Sequence, residues 1–159
     1  MSAPLQTLKI LDFSTLLPGP YASMMLADLG ADVIRIEAPN RPDLTRLLPP
    51  IAEDGQSAQH ALLNRSKRSL GLNLKTPEAV QIVQRLVAAG YDIVLEQFRP
   101  GVMDRLGVGY EALRAICPSL IFASLTGYGQ TGPYKERAGH DVNYLALSGL
   151  LSFYGRSTP

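Results

Sequence analysis

Short apolar runs alternate along the chain with segments in which apolar residues recur at helical spacing. The runs predict β-strands at 8–14, 32–38, 69–74, 91–98 and 119–125. The helical segments predict helices at 20–30, 76–90, 101–106, 109–116 and 141–151. Strands that alternate with helices are typical of an α/β fold, so we predict a mostly parallel sheet with flanking helices.

Two of the predicted helices have clear end signals. Thr76 is a good N-cap, Pro77 fits the first helical position, and Gly90 stops the helix. The earlier helix follows the turn PGP and ends at Gly30, which suits a C-cap. The apolar residues that give it helical spacing are Tyr21, Met24, Met25 and Leu29. With a strand on either side, it predicts a βαβ unit.

A proline-rich stretch at 39–58 interrupts the alternation. It reads PNRPDLTRLLPPIAEDGQSA, contains four prolines and has no clear period. We predict a long surface loop, of the kind that is usually either functional or mobile.

The composition describes a globular protein. Of 159 residues, 46% are apolar and 18% are charged, and a chain of this length fits one domain, 1–159. No apolar run reaches the roughly 20 residues of a membrane span, and the start of the chain lacks the pattern of a signal peptide. We therefore expect a cytoplasmic protein without a membrane partner. The one cysteine, Cys117, cannot form an internal disulfide.

The charge balance narrows the class of partner. With 15 basic and 14 acidic residues the net charge is +1, which predicts neither nucleic acid nor an anionic membrane as a partner. We also predict no metal site. Any anionic ligand must therefore be recognised by a local cluster of residues.

Two segments have the chemistry of anion binding. The turn in LLPGPYASMML, residues 16–26, places backbone N–H groups at a helix start, although a plain structural turn has the same pattern. The stretch 64–77 has four cations and no acidic residue, which suits phosphate recognition but also describes a solvated basic loop. These cations are Arg65, Lys67, Arg68 and Lys75.

Two further segments have candidate site residues. Arg99 and Arg105 surround a turn that follows a predicted parallel strand, so both could reach one anion. His140 could act as a base near neutral pH or form only a hydrogen bond at a loop end. Asp141 is expected to be the N-cap of the last helix. His60 has no supporting partners and receives no role.

Five stretches, taken in order, resemble the class III CoA-transferase family (CaiB/BaiF type), which also contains the α-methylacyl-CoA racemases. They are LKILDFSTLLPGPYASMMLADLGADVIRIEAP, NRSKRSLGLNLKTPE, YDIVLEQFRPGVMDRLGVGYEAL, PSLIFASLTGYGQTGPY and AGHDVNYLALSGLLSFYGRS. They cover nearly all of the chain outside the loop at about 40–60. The resemblance implies a Rossmann-like α/β domain and coenzyme A or an acyl-CoA as substrate, with no covalently bound cofactor.

The resemblance also assigns coenzyme-binding roles. In this family the first turn and the later basic segments wrap coenzyme A, so Leu16, Leu17 and Pro18 would lie along the pantetheine and nucleotide. Relatives often have arginine where this chain has Ala38, so that phosphate contact is either missing or supplied by Arg41. The other matching positions are Leu72, Lys75, Gln97, Phe98, Arg105 and Leu106.

The motif GHDVNYLALSGLL resembles the racemase branch, in which the histidine at the position of His140 is one of two catalytic acid/base groups. Inversion of a carbon next to a thioester requires a base on one face and an acid on the other. The resemblance therefore favours a racemase-like protein in which His140 takes the α-proton of a 2-methylacyl-CoA. Transfer of CoA between carboxylic acids, or a fragment that only binds CoA or a partner chain, are the alternatives.

The resemblance implies further parts beyond these 159 residues. In the family, the aspartate that serves both branches lies well downstream of the GHD motif. We therefore expect an N-terminal portion of the family's large domain, with one candidate base and without the full catalytic pair. Family members form interlocked dimers, so we expect a homodimer or a complementing chain.

Overall fold

A computed structural model describes residues 3–155 of the chain. Its strands are β1 (Lys9–Asp12), β2 (Asp32–Glu37), β3 (Arg68–Gly71), β4 (Ile93–Glu96) and β5 (Ile121–Ser124). Its helices are α1 (Pro18–Asp28), α2 (Ala58–Asn64), α3 (Pro77–Ala88), α4 (Val102–Arg105), α5 (Tyr110–Arg114) and α6 (Asp141–Leu147). Two 3-10 helices span Leu44–Leu47 and Leu150–Phe153.

The five strands form one parallel sheet in the order β3-β2-β1-β4-β5. In its middle, Leu11 of β1 pairs with Ile34 of β2 and with Val94 of β4. The predicted α/β fold, with a parallel sheet and flanking helices, is confirmed. Because the chain runs outward from β1 to β3 and then returns to the other side of β1, the strand order reverses between β1 and β4. Ligands of open α/β sheets bind at such a switch point, beyond the carboxyl ends of the strands.

Apolar side chains cover both faces of the sheet. On one face, Leu11, Ile34 and Val94 pack with residues of α3, α4 and α5 in the larger core. On the other face, Ile10 and Val33 pack with Ala27 of α1. Alternation along β1 and β2 sends successive side chains to opposite faces, so a sheet between two helical layers is the arrangement that buries both sets.

The end signals of α3 and α1 are confirmed. The Thr76 hydroxyl accepts the Ala79 N–H at 3.4 Å, and Gly90 follows the helix with φ of +94°. Gly30 follows α1 with φ of +103°. The apolar stripe that predicted α1 is not its buried face, because Tyr21, Met25 and Leu29 are about half exposed. The buried residues of α1 are Gly19, Pro20, Ser23, Met24 and Ala27.

The predicted long loop over 39–58 contains short ordered elements. Asp43 caps the 3-10 helix Leu44–Leu47 by accepting the Thr45 N–H, and Ile51 bridges Ser57 in antiparallel fashion. The helix α2 then begins at once and buries His60 and Leu63. Its seven residues are too few to display a helical period, so the sequence pattern could not reveal it.

Two elements end three or more residues before their predicted ends. β3 ends at Gly71, three residues before its predicted end. The last helix, α6, ends at Leu147, and Gly149 with φ of +79° separates it from the 3-10 helix Leu150–Phe153. The N-cap of α6 is His140, so the expectation that Asp141 caps this helix is wrong, and Asp141 is its first helical residue.

A polar layer replaces apolar packing near the carboxyl end of β1, on the α1 side of the sheet. Asp12 is fully buried and accepts hydrogen bonds from Ser14 and Ser23. The Lys67 ammonium lies 3.5 Å from Asp12 and donates to the carbonyl of Pro20 at 2.8 Å. Burial lowers the pKa of Lys67, although Asp12 favours its charged form. This pair joins β1, the start of α1 and the segment before β3.

A second buried ion pair attaches the segment 39–58 to the sheet. Arg35 of β2 is 2% exposed and donates to Asp43 at 2.5 Å and to Glu37. Burial raises the pKa of Asp43, but hydrogen bonds from Thr45 and Leu16 and the charge of Arg35 outweigh burial, so the pKa lies below its usual value. The ionised carboxylate is therefore the form that the fold stabilises.

Within residues 3–155, no helix is long and apolar enough to cross a membrane. The same residues contain no group of three or more His, Cys, Asp or Glu side chains placed to hold a metal ion.

Removal of the buried ammonium tests the first ion pair. Lys67→Met leaves the Asp12 carboxylate buried without its cation, which costs about 3–5 kcal/mol when one member of a buried pair is removed. We expect denaturant unfolding to show a loss of about this size. Lys135→Met, an exposed control, changes stability by less than about 0.5 kcal/mol. Equal stability of the two variants would contradict the role of Lys67.

The lowered pKa of Asp43 predicts sensitivity to acid. A carboxyl whose folded-state pKa is depressed stabilises the fold above its unfolded-state pKa of about 3.9, and this stability is lost as the pH falls through the folded-state pKa. Unfolding measured between about pH 6 and pH 2 should show a smaller loss in Asp43→Asn than in the unaltered protein. Asp54→Asn, an exposed change in the same segment, should retain the full loss.

Candidate functional site

The carboxyl ends of β1 and β4 are joined directly at the switch point. The Gln97 side-chain amide, just after β4, donates to the Thr15 carbonyl at 2.6 Å, just after β1. Gly19 of α1 lies against both segments, and a Cβ at this position would overlap the Ser14 side chain and reach within 2.7 Å of Gln97 Oε1. Glycine is therefore required for α1 to begin this close to the two strand ends.

Buried carboxylates hold the two turns that leave these strands. After β1, the Leu16 N–H donates to Asp43 Oδ2 at 3.0 Å. After β4, the Phe98 N–H donates to Glu96 Oε2 at 2.8 Å. Each carboxylate therefore fixes the backbone of a predicted coenzyme-binding segment.

The start of α1 has fewer N–H donors than its motif predicts. Of the first three helical residues, Pro18 and Pro20 have no N–H, which leaves Gly19 as the one donor. The turn therefore cannot present a row of N–H groups to an anion. Its exposed surface is instead apolar, since Leu16 and Leu17 are 40% and 54% exposed.

The basic stretch 64–77 is not a single cluster of cations. Arg65 pairs with Asp28 at 2.5 Å, and Arg68 pairs with Asp32 at 2.6 Å at the amino ends of β2 and β3. Lys67 is buried against Asp12. Among the four, Lys75 follows β3 and lies exposed beyond its carboxyl end. Three of the four cations therefore have acidic partners, and the four do not form one site for phosphate.

Three predicted phosphate contacts follow strands at the same edge of the sheet. Arg41 follows β2, Lys75 follows β3, and Arg105 ends α4, which begins after β4. All three side chains are exposed, and none forms an ion pair within the described residues 3–155. Cations without partners at one edge leave their charge available to an anionic ligand.

The other residues predicted to contact the coenzyme differ in how exposed they are. Leu16, Leu17 and Pro18 are exposed at the first turn, and Gln97 and Phe98 are partly buried beside it. The Leu72 side chain is 8% exposed and belongs to the larger core, and Leu106 packs against the same core. The Leu72 side chain is therefore not available for contact with a ligand.

A cavity of about 420 Å³ adjoins the end of β4. Its lining includes Glu96, Arg99, Asp104, Tyr110 and Phe122. Burial raises the pKa of Glu96, the charge of Asp104 adds to this, and hydrogen bonds from Ser124 and Phe98 oppose it. Arg99 thus lines the same cavity as two carboxyl groups.

His140 lies in an exposed part of the chain. No residue from 121 to 155 is buried. The Asn143 side chain accepts the His140 N–H at 2.9 Å and so fixes the start of α6. Tyr144 donates to the Gly139 carbonyl at 2.9 Å and packs on Tyr128, with 5.3 Å between ring centroids. Within residues 3–155, no hydrogen bond joins His140 to the switch point.

The sequence reasoning missed the buried ionisable groups behind the site. Asp12, Arg35 and Glu96 each occur at or near the end of an apolar strand, and Asp43 occurs in the proline-rich segment. A charged residue inside a strand whose neighbours are buried is the signal that could have revealed the first three. His60, which received no role, is 8% exposed and lies 3.0 Å from the Thr45 hydroxyl.

Known proteins with similar sequences include both transferases and racemases. Human succinyl-CoA:glutarate CoA-transferase is 43% identical over 152 residues, 96% of this chain and 34% of that protein. Human alpha-methylacyl-CoA racemase is 44% identical over 154 residues, 96% of this chain and 36% of that protein. These nearly equal identities do not favour one reaction over the other.

Solved structures share the fold. The crystal structure of a CAIB/BAIF family protein from Brucella suis matches with a TM-score of 0.92 and 40% identity, over all of this chain and 43% of that one. The chain spans about a third of the length of the curated relatives that it matches. The family model for CoA-transferase family III matches residues 5–159. The chain therefore belongs to CoA-transferase family III.

Proposed function

We propose that the protein binds coenzyme A thioesters across the switch point between β1 and β4. The observation that carries the proposal is a set of exposed cations beyond the carboxyl ends of the strands that form no ion pair with any residue of the described range 3–155: Arg41, Lys75 and Arg105. Cations elsewhere in the basic stretch are neutralised by acidic partners. The names of the transferase and racemase relatives, which act on CoA esters, agree with this chemistry.

The two parts of the coenzyme require different surfaces. Its phosphates are anionic and form charge-assisted hydrogen bonds with arginine and lysine. Its pantetheine arm is uncharged and suits the exposed apolar surface of Leu16 and Leu17, with backbone and amide groups of Thr15 and Gln97 beside it. We therefore assign the pantetheine to the turn at 16–18 and the phosphates to the exposed cations around it.

For the bound thioester we propose that His140 accepts the α-proton of the acyl group. The structure places this histidine at the start of α6, with an exposed side chain and a backbone fixed by Asn143. Proton transfer requires an accessible base, and histidine has its pKa nearest to neutral pH. CoA transfer between carboxylic acids is the rival, since succinyl-CoA:glutarate CoA-transferases are similarly close relatives.

Charge removal tests the coenzyme site. In calorimetric titrations with coenzyme A, Lys75→Ala and Arg105→Ala should each weaken binding roughly tenfold, about 1.4 kcal/mol, because each removes a charge-assisted contact to phosphate. Binding should also weaken as salt increases.

Arg85→Ala is the matched control for these titrations. Arg85 is an exposed arginine in the last turn of α3, away from the start of that helix at the carboxyl edge. Its replacement should leave the affinity unchanged. Coenzyme A affinities that are the same in Lys75→Ala, Arg105→Ala and Arg85→Ala would contradict the proposed site.

Proton exchange tests His140. When the unaltered protein is incubated with a 2-methylacyl-CoA in deuterated water, the α-carbon of the acyl group should take up deuterium. His140→Ala should slow this uptake roughly 10²–10⁴-fold. Gln130→Ala, an exposed change in the preceding loop, should leave the rate unchanged. Exchange that persists in His140→Ala would exclude the role of this histidine. CoA transfer to a free carboxylate that persists without exchange would support the rival reaction.

A further inference from the structure

Leu16 adopts a backbone conformation that leucine rarely adopts. Its φ is +63°, and among the described residues 3–155 Ser66 is the one other non-glycine residue with positive φ. The Cβ of an L-residue disfavours this region, so the surrounding structure must hold it there. Leu16 is also the first residue of the proposed coenzyme turn, which makes the group that holds it important for binding.

Asp43 is that group. Its Oδ2 accepts the Leu16 N–H at 3.0 Å and an N–H of Arg35 at 2.5 Å. Its Oδ1 accepts the Thr45 N–H at 2.9 Å and the Thr45 hydroxyl at 2.8 Å. The two oxygens thus connect the turn after β1 to the segment after β2 over a separation of 27 residues.

The carboxylate is itself fixed from the sheet. Arg35 belongs to the interior of β2 and is 2% exposed, so it has little freedom to follow a moving loop. The Thr45 hydroxyl lies 3.0 Å from His60 of α2, and both residues are buried. Asp43 therefore presents Oδ2 to Leu16 from a rigid position.

We infer that Asp43 is a positioning residue for the coenzyme. It holds the Leu16 backbone in its left-handed conformation and so sets the direction in which Leu16 and Leu17 face the ligand. The inference rests on the proposed function, because it assumes that the turn at 16–18 binds coenzyme A. It also gives the segment 39–58 a second role in binding, besides the phosphate contact proposed for Arg41.

The variant Asp43→Asn removes the contact with Leu16 selectively. The side-chain oxygen of asparagine can still accept from Thr45, as an N-cap does. The amide nitrogen then faces the Leu16 N–H and Arg35, and it cannot accept a hydrogen bond from either. We expect two results: faster hydrogen exchange of the Leu16 amide, and coenzyme A affinity reduced roughly tenfold, about 1.4 kcal/mol. Asp54→Asn is the matched control, since Asp54 is an exposed aspartate that accepts the Gln56 N–H within the same segment.

A double-mutant cycle separates positioning from general destabilisation. Glycine adopts positive φ without strain, so Leu16→Gly should weaken binding less in the Asp43→Asn background than in the unaltered protein. A role for Asp43 in stability alone predicts additive effects. Coenzyme affinity in Asp43→Asn within twofold of the unaltered protein, or additivity in the cycle, would overturn the inference.

A second variant controls for destabilisation of the fold by Asp43→Asn. Asp43→Asn leaves Arg35 buried without its carboxylate, so Arg35→Met/Asp43→Asn, which removes both charges, is measured alongside it. Relative to Arg35→Met, this double variant should show the same weaker binding of coenzyme A and the same faster exchange of the Leu16 amide. If the unaltered protein binds no coenzyme A, the proposed function fails. If hydrogen exchange of the Leu16 amide is unchanged in either Asp43 variant, Asp43 does not hold the turn, whatever the result for binding.

Discussion

Buried carboxylates that accept backbone N–H groups are the interaction on which the switch point depends. Asp12, Asp43 and Glu96 accept from Ser14, Leu16 and Phe98, respectively. An ionised carboxylate in the interior is unfavourable unless cations and donors surround it. Lys67 and Arg35 supply the cations for the first two. Buried ionisable groups therefore fix the shape of the turns that leave β1 and β4.

The parts of the fold that depend on local signals could be predicted from the sequence. Thr76, Pro77 and Gly90 mark the ends of α3, and apolar runs mark the strands, so the α/β class followed. The ordered conformation of the segment 39–58 could not be predicted, because Arg35 and His60, which are distant in sequence, hold Asp43 and Thr45 in place there. The helix α1 shows a further limit of sequence patterns. Its buried face consists mostly of small residues, whereas most of the large apolar residues that predicted the helix are exposed.

The candidate site follows from the same distinction. Residues assigned by resemblance gather at one edge because each follows the carboxyl end of a strand or lies in the next helix, and parallel strands end together. The basic stretch misled because Asp28, Asp12 and Asp32 pair with three of its four cations. Sequence spacing alone does not reveal which cations already have partners.

A crystal structure of the protein with coenzyme A tests the central claim most directly. The account predicts the pantetheine against Leu16 and Leu17 beside Gln97, with the phosphates bound by some or all of Arg41, Lys75 and Arg105. In the same structure the Leu16 N–H should still donate to Asp43. A coenzyme bound at the amino edge of the sheet, or confined to the cavity beside Tyr110 and Phe122, would contradict the account.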